Sequence, residues 1–151
     1  MATTANKTKD VVGALNQQVA NLTVLFTKLH HYHWYVTGPN FFELHSKLEE
    51  LYDYAAEKLD EIAERILALQ GKPISTLKES LAVSTISEAK GGESAKEMVQ
   101  AVLADLEQLV TELKETITIA EDAEDDSTAD LCVGTITDLQ KNAWMLRSFL
   151  G

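Results

Sequence analysis

Among the histidines and acids between His33 and Glu64, five stand at spacings that could build a metal site: His33, His45, Glu49, Asp60 and Glu64. Imidazole nitrogen combined with carboxylate oxygen is the donor set of iron, manganese and zinc sites. Their spacing is informative. His45 and Glu49 are i,i+4 neighbours if the segment is helical, and so are Asp60 and Glu64. The two pairs are fifteen residues apart, roughly 22 Å of helix rise. One helix cannot bring both pairs to one ion. A shared site requires a second copy of the helix running antiparallel to the first. His45 and Glu49 of one chain then face Asp60 and Glu64 of the other, so a two-fold dimer is part of the site hypothesis. Two acids one turn apart repel by about a few tenths of a kcal/mol, which a bound cation offsets.

The elements that must position these residues are long helices. Val12, Leu15, Val19, Leu22, Phe26 and Leu29 alternate at three and four, predicting a first helix over Lys9–Val36. His33 continues that stripe, where a histidine is often only a hydrogen-bonded core residue. Thr37-Gly38-Pro39 breaks the helix. Asn40 with Glu43 reads as a capping box opening a second helix, Asn40–Gln70, which stops at Gly71 with Pro73 beyond. Leu44, Leu48, Leu51, Ala55, Leu59, Ile62 and Ile66 are its apolar stripe; Glu50, Asp53 and Glu57 form a separate acidic stripe. Residues 71–93 are too long for a hairpin and hold a short helix within Ser75–Val83. Ser94 with Glu97 caps a third helix running to about Ala120, burying Met98, Val102, Leu106, Leu109, Leu113 and Ile117. The acids at 121–126 separate it from a last helix, Ser127–Leu150, with Cys132, Ile136, Leu139, Ala143 and Leu146 inward. An acidic turn is usually just solvated; a metal-collecting surface is the alternative. The expected fold is all-α: a four-helix bundle with one long crossover carrying a short helix, as in ferritin-like folds, forming a single domain over 1–151.

Composition narrows the function classes. A chain of 151 residues buries a real core, and two prolines leave few turns. No run approaches the roughly 18 apolar residues of a membrane span, and the N-terminus has no apolar secretory region, so no membrane role is expected. The lone Cys132, read as a core residue, fits a reducing cytoplasm. A net charge of −11 argues against a general nucleic-acid surface and suits a protein that attracts cations. No Glu-x-x-His occurs, so the usual di-iron centre inside a bundle is not expected. Phosphate-binding glycine loops are absent, and all four histidines lie between 30 and 45, leaving histidine-carboxylate chemistry.

His33-Trp34, then Gly38-Pro39-Asn40-Phe41-Phe42, His45, Glu49, Asp60 and Glu64 resemble the motif of the Dps family, the mini-ferritins. Ala63 to Ile66, Gly71-Lys72-Pro73 and the closing Trp144 to Leu150 are similar as well. The resemblance implies a hollow dodecamer of four-helix subunits with ferroxidase centres at two-fold interfaces. It implies an iron-storage and detoxification protein that oxidises Fe(II), preferentially with hydrogen peroxide, and keeps ferric mineral inside. Carried over by position, His33 and His45 come from one subunit, and Asp60 and Glu64 from its two-fold mate. Glu49 stands where many members have aspartate, one methylene longer. His31 and Trp34 are possible accessories: His31 as outer ligand or hydrogen-bond partner, Trp34 as packing or as a hole acceptor. Glu50, Asp53 and Glu57 are candidates for mineral nucleation. Asp122, Asp126 and Asp130 are candidates for an iron-admitting pore. The competing reading is a nucleoid-associated protein that coats DNA, its metal site secondary or idle. Members that do so commonly use a lysine-rich tail, whereas this N-terminus offers Lys7 and Lys9 and the chain stops at Gly151, so weak or absent DNA binding is expected.

Overall fold

The structure, a computed structural model, describes residues 2–151. Five helices follow one another: α1 (Thr4–Tyr35), α2 (Phe41–Ala68), α3 (Leu77–Val83), α4 (Ala95–Asp122) and α5 (Asp126–Leu150). Among the described residues there is no strand. Short turns make hairpins of α1 with α2 and of α4 with α5. The crossover with α3 joins the two into a four-helix bundle, as the periodicity predicted. Leu15, Val19, Leu22 and Leu29 meet Leu44, Leu48, Leu51, Ile62 and Ile66 in a core shared with α4 and α5.

A ladder of polar contacts sets the direction of the helices. Along α1, Lys7 meets Asp122, Asn21 meets Glu112, Lys28 meets Asp105 and Tyr32 meets Glu93. The partner numbers fall as α1 advances, so α1 and α4 run antiparallel. Lys28 Nζ lies 2.7 Å from Asp105 Oδ2, both side chains nearly enclosed. Burial pushes the Asp105 carboxyl upward and Lys28 only partly opposes it. Removing either partner strands a buried charge, at a cost of about 3–5 kcal/mol. Between α2 and α5, Tyr54 donates to Asp138 and Arg65 reaches Asp125 and Thr128.

The crossover is held by amides and hydroxyls. Asn16 donates to the Lys72 carbonyl and accepts from Ile74 N–H. Fully buried Asn21 donates to Glu112 Oε1 at 2.9 Å and accepts from Thr85 N–H at 2.7 Å. Gln18, Gln108 and the Thr85 hydroxyl also donate to Glu112. Each buried polar atom so satisfied avoids a desolvation cost of about 1–3 kcal/mol.

Element ends differ from expectation in four places. Helix α1 begins at Thr4 rather than Lys9, because the Thr3 hydroxyl accepts from Asn6 N–H. Asn40 occupies the N-cap of α2 but forms no capping box: its ψ of 26° is far from the extended value a cap side chain needs. Ser94 does cap α4: its hydroxyl oxygen accepts from Glu97 N–H and its hydroxyl donates to the Glu97 carboxylate. Helix α5 is capped by Asp125, not Ser127; Asp125 accepts from Thr128 N–H while Arg65 pairs with it. Burial alone would raise the Asp125 carboxyl, but Thr128 and Arg65 together hold it below its ordinary value. At the end of α2, Gln70 rather than Gly71 takes the left-handed turn (φ 63°), and Gly71 N–H returns to the Ile66 carbonyl at 2.9 Å.

Glycine at 71 serves close approach. A Cβ there would stand 2.8 Å from Val12 Cγ2 on α1. Val12 is β-branched and cannot swing aside freely. Gly71→Ala should therefore cost about 1–3 kcal/mol through overpacking. A lowered thermal midpoint, partly restored by adding Val12→Ala, is the expected result; an unchanged midpoint would contradict the contact.

Candidate metal centre

His33 lies in the last turn of α1 and His45 in the first turns of α2, and the break at Val36–Asn40 folds one helix back on the other. Gly38 permits the reversal with φ 110°. The two imidazoles stack at 3.7 Å with planes 13° apart. Their hydrogen bonds are reciprocal: His33 Nδ1–H donates to the His45 carbonyl at 2.7 Å, and His45 Nδ1–H to the His33 carbonyl at 2.8 Å. A carbonyl oxygen only accepts, so each Nδ1 carries the ring proton. In the neutral ring each Nε2 then keeps its lone pair, the form in which imidazole binds metal. His33 is thus a buried, bonded histidine and a possible ligand at once.

The carboxylates are exposed. Glu49 Oε1 accepts from the Tyr52 hydroxyl at 3.3 Å. Burial and the Glu49 charge push the Tyr52 phenol upward, so it stays a donor at neutral pH. Asp60 and Glu64 stand four turns further along α2. At 3.6 residues per turn, His45, Glu49, Asp60 and Glu64 share an arc of about 100° on one face. Half-buried Ala56 and Ala63 lie on that face too, at the edge of a groove bounded by Phe26, Leu59 and Leu77. Within one chain the set stays divided: among the described residues no three His, Cys, Asp or Glu side chains gather around one point. The structure brings His33 and His45 together, with Glu49 one helical turn along α2 from His45, and does not bring Asp60 and Glu64 to them.

His31 does not reach the pair. Two residues before His33, it turns to the opposite side of α1, against Tyr35 (4.6 Å), and lines a cavity of about 220 Å³ under α3 with Lys28, Leu77 and Glu88. Its neighbour His30 is the histidine beside the site, stacked on Tyr52 at 3.7 Å. Trp34 is 69% exposed and touches His30 (5.3 Å). Sequence reading missed Tyr52 and His30. The available signal was that Tyr52 lies at i+3 from Glu49, and that His30 and His33 are one turn apart on the α2-facing side of α1.

Glu50, Asp53 and Glu57 are exposed along α2, Glu50 paired with Lys47. Asp122 closes α4 beside Lys7; Asp126 and Asp130 are exposed in the first turns of α5. Cys132 is buried, and burial, with Asp125 nearby, pushes its thiol up to about 11, so it is an inert core residue. Among the described residues no helix is long and apolar enough to cross a membrane.

The model of the ferritin-like domain matches residues 12–151. A Bacillus anthracis protein named "DNA protection during starvation protein 2" is 55% identical over 142 residues, which are 94% of this chain and 97% of that protein. The crystal structure of a Dps protein from Bacillus brevis superposes with a TM-score of 0.96 at 48% identity, covering the whole of both chains. The Dps of Vibrio cholerae O1, described as a member of a broad superfamily of ferritin-like diiron-carboxylate proteins, gives 0.93 at 30% identity over 97% of this chain and 92% of its own.

The reciprocal bonds specify a tautomer. In protein labelled with nitrogen-15 histidine, magic-angle-spinning spectra at mildly alkaline pH should show His33 and His45 protonated at Nδ1 and bare at Nε2. The opposite tautomer at either ring would contradict the arrangement.

Proposed function

We propose, for a chain that belongs to the ferritin-like family and within it to the Dps proteins, that paired subunits oxidise Fe(II) at centres shared across a two-fold axis. Ferric mineral is then stored inside a hollow assembly, the dodecamer of the family resemblance. The observation that carries this reading is the histidine pair. Two imidazoles have their Nδ1 protons committed to backbone carbonyls and their Nε2 atoms free, and Glu49 follows His45 by one helical turn. The other two acids lie on the same face of α2, about four turns away.

A second α2 laid antiparallel on this face completes the set. In one register His45 stands opposite a second copy's Glu64, and Glu49 opposite its Asp60. The axis then passes between residues 54 and 55. The small side chains of Ala56 and Ala63 let the helices approach. Each axis creates two equivalent sites. Two imidazoles and three carboxylates suit Fe(II) as substrate. The hard oxygens favour Fe(III) more than Fe(II), so the site drives oxidation. Two Fe(II) ions give one electron each to one hydrogen peroxide; with two protons this yields two Fe(III) and two waters. Pairing the electrons in this way releases no hydroxyl radical. Glu50, Asp53 and Glu57 supply exposed carboxylates for nucleation, and Asp122, Asp126 and Asp130 an acidic mouth for incoming iron.

The name of the Bacillus anthracis relative speaks of DNA protection. Consuming Fe(II) and peroxide protects DNA without touching it. Direct coating would need accessible cations, and Lys7 is engaged with Asp122 in a chain of charge −11. A salt-sensitive mobility shift of duplex DNA at neutral pH would favour the coating reading.

The assembled protein is loaded anaerobically with Fe(II) and given hydrogen peroxide or oxygen. Peroxide should be the faster oxidant, and the ferric product should stay in solution well beyond two irons per subunit. Asp60→Ala should slow the reaction by at least about tenfold. Ferric precipitate forming at the protein-free rate would sink the proposal.

A further inference from the structure

The ligand set accounts for the histidines and acids but leaves Tyr52 unused. Tyr52 lies on α2 three residues after Glu49, and its phenol donates to Glu49 Oε1 at 3.3 Å. Its ring stands edge-on to the imidazole of His33, with centroids 5.2 Å apart and planes at 88°. It also stacks on His30 at 3.7 Å, with planes 17° apart. His30 is fixed in turn: its Nδ1–H donates to the Phe26 carbonyl at 2.9 Å, and its ring meets Phe26 edge-on. One tyrosine therefore touches both a carboxylate and an imidazole of the proposed centre, and α1 backs it.

We propose that Tyr52 is a positioning residue that holds Glu49 and His33 in one geometry before the metal arrives. The inference rests on the ferroxidase reading above and adds a residue to it. Glu49, like Glu64, needs such help more than the two imidazoles and Asp60 do. It is exposed, and a glutamate has one more torsion to freeze than an aspartate. Fixing those torsions at the moment of binding weakens affinity, and a donor already in place removes part of that loss. The longer side chain also reaches back to a phenol at i+3 without leaving the ligand face. Tyr52 thereby gives a physical reason for glutamate at position 49.

The test uses cobalt(II) as the probe on the assembled protein, with visible absorption as the readout. Wild type is compared with Tyr52→Phe, Glu49→Ala and the double variant. Phenylalanine keeps the ring contacts with His30 and His33, so assembly and thermal midpoint should match wild type. Tyr52→Phe should bind cobalt about tenfold more weakly, the low end of what losing a ligand's hydrogen-bond partner costs. Its cobalt band should change intensity as Glu49 loses its fixed approach. In Fe(II) oxidation its KM should rise more than its kcat falls. Adding Tyr52→Phe to Glu49→Ala should cost nothing further, because alanine has already removed the acceptor of the phenol's bond. Tyr52→Phe binding cobalt like wild type would overturn the inference. So would losing the same factor in the Glu49→Ala background. A wild type that binds no cobalt would overturn the ferroxidase reading itself, and this inference with it.

Discussion

Everything about the proposed centre depends on the straightness of α2. A continuous helix over Phe41–Ala68 fixes Asp60 and Glu64 roughly 22 Å from His45 and Glu49, on the same face. No rotamer bridges that gap. The subunit must therefore carry two half-sites, one rich in imidazole and one of carboxylates, each incomplete alone. Coupling between assembly and chemistry follows from a rise of 1.5 Å per residue. On the proposed reading, a lone subunit holds only half of the ligand set and turnover requires assembly.

The rest of the bundle keeps α2 straight and α1 correctly placed against it. The histidine pair demands that the end of α1 and the start of α2 stay within a few ångströms, since each ring is bonded to the other's backbone. At the far end of the hairpin Gly71 lets the chain after α2 close on Val12. On the other side, the α1–α4 ladder from Lys7–Asp122 to Tyr32–Glu93 sets the register of the second hairpin. Glu93 illustrates how tightly this is built. Burial would raise its carboxyl, yet Tyr32 and the backbone N–H groups of the loop overcome that and hold it low. The crossover, which must span the length of the bundle, is pinned near its middle by Asn21 and Glu112 rather than by apolar contact alone.

Much of this was legible in the sequence, and the reasons are physical. The three-four spacing of Leu15, Val19, Leu22 and Leu29, and of Leu44, Leu48, Leu51 and Ile62, admits only long amphipathic helices, and these residues are buried as the spacing requires. A connector over 71–93 excluded a hairpin. The i,i+4 pairs of candidate ligands were visible because helical spacing is local. The errors were of another kind. Gly71 carries the usual mark of a helix stop, yet its glycine is demanded by Val12, far away in sequence. His31 and His30 differ by one position, and which of them faces α2 depends on the helix phase, which the stripe ending in His33 already contained. Asn21 and Glu112 look like ordinary surface residues until the crossover is laid over them. Local periodicity is written in neighbours, whereas close approach and polar clamps are written in pairs far apart.

The claim that ligands from two chains make one centre is tested most directly by complementation. One chain carries His33→Ala with His45→Ala, the other Asp60→Ala with Glu64→Ala, and the two are co-expressed so that they assemble together. Each alone has no intact site. In a mixed pair one of the two sites per axis regains every ligand, so random pairing restores about a quarter of the wild-type centres. The account predicts peroxide-driven Fe(II) oxidation near that fraction from the mixture and background rates from either parent. A mixture no faster than its parents, or a parent as fast as wild type, would contradict it.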